Sequence, residues 1–195
     1  MNKVDFPKIL EQERIILKSY AVGDIDEHTK QMFRVIDANR DFFIPWHKDT
    51  TGTIKYQNPD MCKDYITRIV NAFNNKTQAG YGVYKKDLDK YIGHIMAYDI
   101  DYQNNSLEFG LFMDKAYTKQ GLMREAVLAL EYFFKEQGAH HFTMKCANDN
   151  ENSSKMIQSL GYQLEGTQKE NRLYIGDTKY RDTLIFGKVV KDNQR

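Results

Sequence analysis

Two helix starts with unpaired backbone amides and a carboxylate within a strand are the positions along this chain whose residues could do chemistry. Glu108 lies in the alternating run Leu107–Met113. A carboxylate in a half-buried strand is costly unless it is paired, so Glu108 either performs chemistry or closes a salt bridge. Just past that run, Thr118-Lys119-Gln120-Gly121-Leu122-Met123-Arg124 opens a long amphipathic stretch, and Asn150-Glu151-Asn152-Ser153 opens a second. Where a strand turns into a helix start, several backbone N–H groups have no partner, and the helix dipole adds partial positive charge. The region of Gly121 is therefore a seat for a phosphate or pyrophosphate. Asn150 and Ser153 keep two readings each: ordinary helix-start hydrogen bonding, or polar contacts to whatever the phosphate anchors.

The elements that must position these groups follow from periodicity. Glu13 to Tyr20 alternates and reads as a strand, and Asp24 to Ala38 carries Met32, Phe33, Val35 and Ile36 at helical spacing. Pro59 precedes a helix over Asp60 to Asn75. Tyr81 to Lys85, Tyr91 to Asp99 and Leu107 to Met113 read as strands parted by turn-rich segments, an antiparallel meander. Gln120 to Gln137 is the strongest helix, with Met123, Val127, Leu130, Phe133 and Phe134 on its buried stripe and Gly138 as its stop. His141 to Ala147 is a strand, Asn150 to Leu160 a helix, Tyr162 to Glu165 a short strand and Thr183 to Val189 a closing one. The predicted order β-α-α-β-β-β-α-β-α-β-β describes a mixed α/β domain rather than a doubly wound sheet.

Composition narrows the function classes. The 195 residues suit one domain, expected to span 1–195, with a core large enough to dispense with disulfides. The 28 basic and 27 acidic residues leave a formal charge of +1, and no like-charge run argues for nucleic-acid or membrane binding. No apolar signal core or spanning stretch is present, and the two cysteines, Cys62 and Cys146, are far apart, so a reducing cytoplasm is the expected compartment. His140 and His141 have no metal-ligand spacing with another His or Cys, and no metal is expected. Cys146 sits in an apolar strand without a His-backed nucleophile pattern, so it reads as inert core rather than as a nucleophile. No Gly-x-Gly-x-x-Gly or Gly-x-x-x-x-Gly-Lys-Ser/Thr occurs, so the common nucleotide-binding loops are excluded.

The ordered set Phe43-Ile44-Pro45-Trp46, Tyr91-Ile92-Gly93-His94-Ile95, Leu107-Glu108-Phe109-Gly110-Leu111, Gly121-Leu122-Met123-Arg124-Glu125-Ala126, Asn150-x-x-Ser153, Leu160-Gly161-Tyr162 and Tyr180-Arg181-Asp182 resembles the GNAT acetyltransferases, in particular their RimJ/RimL-like branch. The resemblance implies an α/β fold with a central, mostly antiparallel, splayed sheet flanked by helices. It implies acetyl-CoA as cosubstrate and an amine acceptor. The family's pyrophosphate loop, Gln/Arg-x-x-Gly-x-Gly/Ala, falls on Thr118 to Met123, where only Gly121 matches and Lys119 replaces a frequent extra glycine. Main-chain N–H groups do the phosphate work, so side-chain changes are tolerable if the dihedrals stay accessible, and Lys119 adds a cation.

By the same resemblance, Leu111, Phe112 and Met113 meet the pantetheine arm, with the Leu111 and Met113 N–H groups facing the amide and thioester carbonyls. Lys119, Gln120, Gly121, Leu122, Met123 and Arg124 hold the pyrophosphate. Asn150 and Ser153 complete the cofactor contacts, and Ser153 is close enough to the sulfur to serve the leaving thiolate. Glu108 becomes the general base, directly or through water, for about 10²–10⁴-fold in rate. On the acceptor side Trp46 either walls the pocket or fills core, and His94 either faces the site or is a satisfied strand histidine, the ordinary case. Arg172 stands where related enzymes can carry an acidic residue, so their substrate does not transfer directly. The resemblance to the RimJ/RimL-like branch implies a protein N-terminus as acceptor, and its α-amine, with pKa about 7.7–8.0, needs less base assistance than lysine near 10.4. A small-molecule amine acetyltransferase and a non-catalytic acyl-CoA-binding regulator are the alternatives. Related enzymes are often dimers, and the oligomeric state stays open.

Overall fold

The computed structural model describes residues 1, 3–46, 58–174 and 178–190. Eight strands form one sheet: β1 (Ile9–Glu11), β2 (Ile15–Ser19), β3 (Ala79–Lys85), β4 (Lys90–Asp101), β5 (Ser106–Met113), β6 (His141–Ala147), β7 (Gln163–Arg172) and β8 (Arg181–Val189). Their spatial order is β1-β2-β3-β4-β5-β6-β8-β7. Every neighbouring pair is antiparallel except β5 and β6. The helices are α1 (Ile25–Ala38), α2 (Arg40–Phe43), α3 (Pro59–Asn74), α4 (Leu122–Glu136) and α5 (Glu151–Ser159). A parallel pair needs a crossover, and α4 supplies it between β5 and β6. The arrangement is the mixed α/β one that the motif order implied, a mostly antiparallel sheet flanked by helices.

Alternation along the strands feeds two apolar layers. Ile15 and Leu17 of β2, Ile95 of β4 and Phe109 of β5 join Val127, Leu130 and Phe134 of α4 and Ile157 of α5 on one face. Tyr20, Tyr91 and Phe112 join Met32, Val35 and Ile36 of α1 and Ile66 and Ile69 of α3 on the other. Each fully buried Leu, Ile or Phe contributes about 1.5–3 kcal/mol, which sets α4 firmly against the sheet. Phe133, expected on that buried stripe, is only half-buried, and Ala126, Ala129 and Glu131 are covered in addition to the expected residues.

The expected elements are present, with three differences. The three-residue β1 and the single-turn α2 carry too little pattern to be legible. β7 is longer than the predicted Tyr162 to Glu165 segment and runs to Arg172. It is an edge strand, exposed along nearly its whole length, so neither face needed apolar residues. No helix among the described residues is long and apolar enough to cross a membrane.

Two features of the sheet shape the site. The β5–β6 ladder ends at Phe109 opposite Met144, although the strands continue to Met113 and Ala147. The strands separate there, and the β5 edge beyond Phe109 faces open space. The β4–β5 register is also broken between Tyr98 and Asp101, with Asp99 at φ +49.

Candidate active site

The gap between β5 and β6 opens into a cavity of about 1590 Å³. That exceeds the few hundred to about 1,000 Å³ of ordinary ligand pockets, leaving room for two reactants. One side is built at the start of α4. Gly121 adopts φ +76 and ψ +1 as the N-cap, and no side chain caps the helix. The contrast with its neighbours is informative. Asp24 caps α1, Asn58 caps α3 and Asn150 caps α5, each accepting a backbone N–H with its side chain. At α4 the first-turn N–H groups are instead left for a bound anion.

Lys119 also sits at positive φ, +60. A lysine thus takes the left-handed conformation that glycine adopts freely, which accounts for the glycine common in this loop in related sequences. Arg14, at the β1–β2 turn, braces the loop from outside: Nε donates to Glu125 Oε2 at 2.9 Å and Nη1 to the Gln120 carbonyl at 2.9 Å. Its own backbone N–H donates to Glu125 Oε1 at 2.8 Å. Nothing local in the sequence marks Arg14 for this role, since its partners lie more than a hundred residues away.

Leu111, Phe112, Met113, Lys119, Gly121, Leu122, Met123 and Arg124 all line the cavity. Gln120 does not: its side-chain amide donates to the Ala116 carbonyl at 3.1 Å, so only its backbone belongs to the anion-facing turn. Asn150 and Ser153 line the cavity as well. Asn150 Oδ1 accepts the Ser153 N–H at 3.1 Å, so Asn150 is a helix cap that also faces the site. Cys146 is on the cavity wall and half-buried rather than enclosed in core. Burial raises its thiol pKa to about 11, leaving little of the thiolate that a nucleophile needs.

Glu108 is 6% exposed and borders the cavity. Tyr98, its register partner on β4, donates its phenol O–H to Oε1. Lys145, two places beyond its register partner Thr143 on β6, reaches Oε2 at 2.5 Å. The alternatives left open by the sequence therefore coincide: Glu108 is salt-bridged and it faces the site. A carboxylate has about four acceptor positions, and these two donors leave others for an amine or a water. Gly110 allows Tyr98 to lie across β5, since a Cβ there would stand 3.0 Å from the ring. Burial, and then the Glu108 charge, push the Tyr98 phenol well above the usual range and keep it a donor.

His94 is 3% exposed at the edge of the same cavity. Its Nδ1 is 2.9 Å from the Tyr20 hydroxyl and its Nε2 is 3.5 Å from that of Tyr65, and its ring packs on Tyr20 and Phe112. Burial lowers its pKa to about 3, so the ring is neutral at physiological pH. It is a satisfied histidine that also forms wall. Trp46 and Arg172 line the far side with Tyr65 and Arg68 of α3 and with Tyr174. Lys145, Tyr98 and the α3 residues were missed by sequence reasoning. The helical periodicity that located α3 reports its buried stripe, not the residues it turns toward a ligand.

Comparison with known proteins adds to this geometry. The model of the acetyltransferase (GNAT) domain matches residues 14–163. The ribosomal-protein-serine acetyltransferase of Escherichia coli (strain K12) is 28% identical over 176 residues, 89% of this chain and 93% of that protein. A solved structure of RimL, the ribosomal L7/L12 alpha-N-protein acetyltransferase in complex with coenzyme A, superposes with TM-score 0.83 at 17% identity, over 93% of this chain and 98% of that one. The microcin C7 self-immunity acetyltransferase MccE, in complex with acetyl-CoA and AMP, superposes with TM-score 0.81 at 20% identity, over 92% of this chain and 94% of that one.

Proposed function

The chain belongs to the GNAT acetyltransferase family and is an acetyl-CoA-dependent N-acetyltransferase; from that premise we propose that its acceptor is the α-amine of a protein N-terminus, attacking the thioester directly in a ternary complex. The observation that carries the reading is the side-chain-free, left-handed start of α4 opening into the same cavity as Glu108 and Ser153.

The residues present suit acetyl-CoA. The first-turn amides of α4, with Lys119 and Arg124 beside them, offer N–H groups and positive charge to a diphosphate. Beyond Phe109 the β5 backbone has no β6 partner, so its polar groups are available to the amide-rich pantetheine arm and to a carbonyl that gains negative charge in the transition state. Acetyl-CoA supplies the activated acyl group, and this chain's side chains manage protons. Glu108, held by Tyr98 and Lys145, accepts the proton lost by the attacking amine, directly or through a water. Ser153, at the start of α5, donates a hydrogen bond or proton to the departing thiolate. The amine nitrogen–carbonyl carbon bond forms as the carbon–sulfur bond breaks, and the amine's proton balances the one given to sulfur.

An α-amine suits this arrangement because about a tenth of it is already neutral at pH 7, whereas lysine is neutral in well under one part in a hundred. The 28% identity to an enzyme named for ribosomal-protein serine supports a peptide acceptor in particular. The test is release of CoA thiol on mixing with acetyl-CoA and peptides beginning with Ser, Ala or Met, against polyamines. Turnover with the peptides is expected. Turnover confined to the polyamines replaces this acceptor with a small-molecule one.

A further inference from the structure

Of the sequence segments that carried the family resemblance, Tyr180-Arg181-Asp182 has no part in the chemistry above, and Arg181 does not line the cavity. Its contacts nevertheless converge on the acceptor side. Nη1 donates to both carboxylate oxygens of Asp149, at 3.0 and 3.1 Å, and Nη2 donates to the Pro45 carbonyl at 2.7 Å. The guanidinium Cζ lies 4.0 Å from the centre of the Tyr174 ring and 5.8 Å from that of Trp46. Asp149 immediately precedes the Asn150 cap of α5, and Trp46 and Tyr174 are cavity wall. One side chain thus joins three segments far apart in sequence.

We propose that Arg181 is the positioning residue of the acceptor wall: it fastens Trp46 and Tyr174 to the segment that opens α5, and thereby sets affinity for the amine without touching the thioester. The identification of this side as the acceptor's rests on the function proposed above. Arginine is required because only a planar guanidinium donates in two directions while presenting a flat face to aromatic rings. A lysine is a point charge and can hold one of these partners at a time. Asp182 fixes the adjoining segment in the same manner. Its Oδ1 accepts the Glu170 N–H at 2.8 Å, and its carbonyl accepts the Asn148 N–H at 3.1 Å. Glu170 stands at φ +43 in the β7 irregularity that precedes Arg172, the register partner of Arg181.

The experiment uses the full chain and the variant Arg181→Lys. Trp46 is the only tryptophan, so its emission reports the wall without any acceptor present. A shifted Trp46 emission is expected, together with an amine KM raised on the order of tenfold and an acetyl-CoA KM changed less than about twofold. Unchanged emission and unchanged amine KM overturn the proposal. So does an equal rise in both KM values with a lowered Tm, the mark of a purely structural residue. Should Arg181→Lys fail to fold, Asp149→Asn retains the arginine and weakens one of its anchors. A smaller change in the same direction then supports the clamp, and none refutes it. Emission and acetyl-CoA affinity need no acceptor, so a chain that leaves peptide N-termini untouched still tests Arg181, with the split read on whichever amine releases thiol.

Discussion

At the start of α4 the cavity offers uncapped main-chain amides; at Tyr98 and Glu108 its wall is side chains held by a phenol hydrogen bond and an ion pair. The two sides differ in what they ask of the sequence. The α4 side needs one accessible left-handed turn and a helix behind it. Thr118, Lys119 and Met123 therefore depart from the family's loop while Gly121 keeps the turn at φ +76. The side-chain networks need particular atoms at particular distances: a carboxylate between a phenol and an ammonium, a neutral histidine between two tyrosines, a guanidinium between a carboxylate and a carbonyl. Main chain tolerates substitution, and side-chain networks do not.

That difference sets the scale of what mutation does. The largest effect is expected at Glu108. Glu108→Gln keeps the shape but cannot take the amine's proton, so kcat falls by about 10²–10⁴ while acetyl-CoA affinity by calorimetry stays at the wild-type value. A pH–rate profile identical to wild type removes Glu108 from the reaction.

Next comes His94, whose folded pKa of about 3 lies below the unfolded value near 6.5. Above the unfolded value the ring is neutral in both states and imposes no penalty. As pH falls from there toward the folded value the unfolded chain binds the proton first, and stability drops. At pH 5 the loss is about 2 kcal/mol, and it should be missing from the urea midpoints of His94→Gln compared at pH 7 and pH 5. Equal losses in the two proteins would assign the acid sensitivity to other groups.

On the α4 side the effects are smaller and confined to the cosubstrate. Gly121→Val puts a β-branched residue at a left-handed turn, a strain of roughly 1–2 kcal/mol, and its Cβ stands 3.4 Å from the Arg14 guanidinium. The Kd for acetyl-CoA is expected to rise on the order of tenfold with the amine KM unchanged. A rise in amine KM of the same size would mean that the two sides are not separable. Least of all, Arg14→Ala removes a brace whose side chain is 47% exposed. Solvent screening holds its contribution below about 1 kcal/mol, a few-fold in acetyl-CoA KM. A hundredfold loss would show that the turn depends on its external support.

Legibility follows the same division. α4 and α5 were readable because each buries one stripe, which writes a period of 3.6 into the residues, and the central strands β3 to β5, covered on both faces, because they are apolar and aromatic runs parted by turn-rich segments. β7 was read as ending at Glu165 because its pairing with β8 needs no apolar face at the sheet edge. Glu108 and Ser153 could be named as candidates, but whether Glu108 was salt-bridged or faced a ligand was open. The structure pairs it with Tyr98 and Lys145 on neighbouring strands and sets it at the border of the cavity. Gln120, counted with the phosphate-side residues, turns its side chain back to Ala116.

Taken alone, then, the amino-acid order determined most of the helices and strands and the two helix starts at Gly121 and Asn150, since these depend on residues within a few positions of each other. Only tertiary structure decided where β5 and β6 part, which donors hold Glu108, and that Arg181 reaches Pro45 and Asp149. Those contacts join residues from 10 to 136 positions apart. Local pattern carries no record of such partners, because many sequences satisfy the same burial while placing different side chains at the cavity.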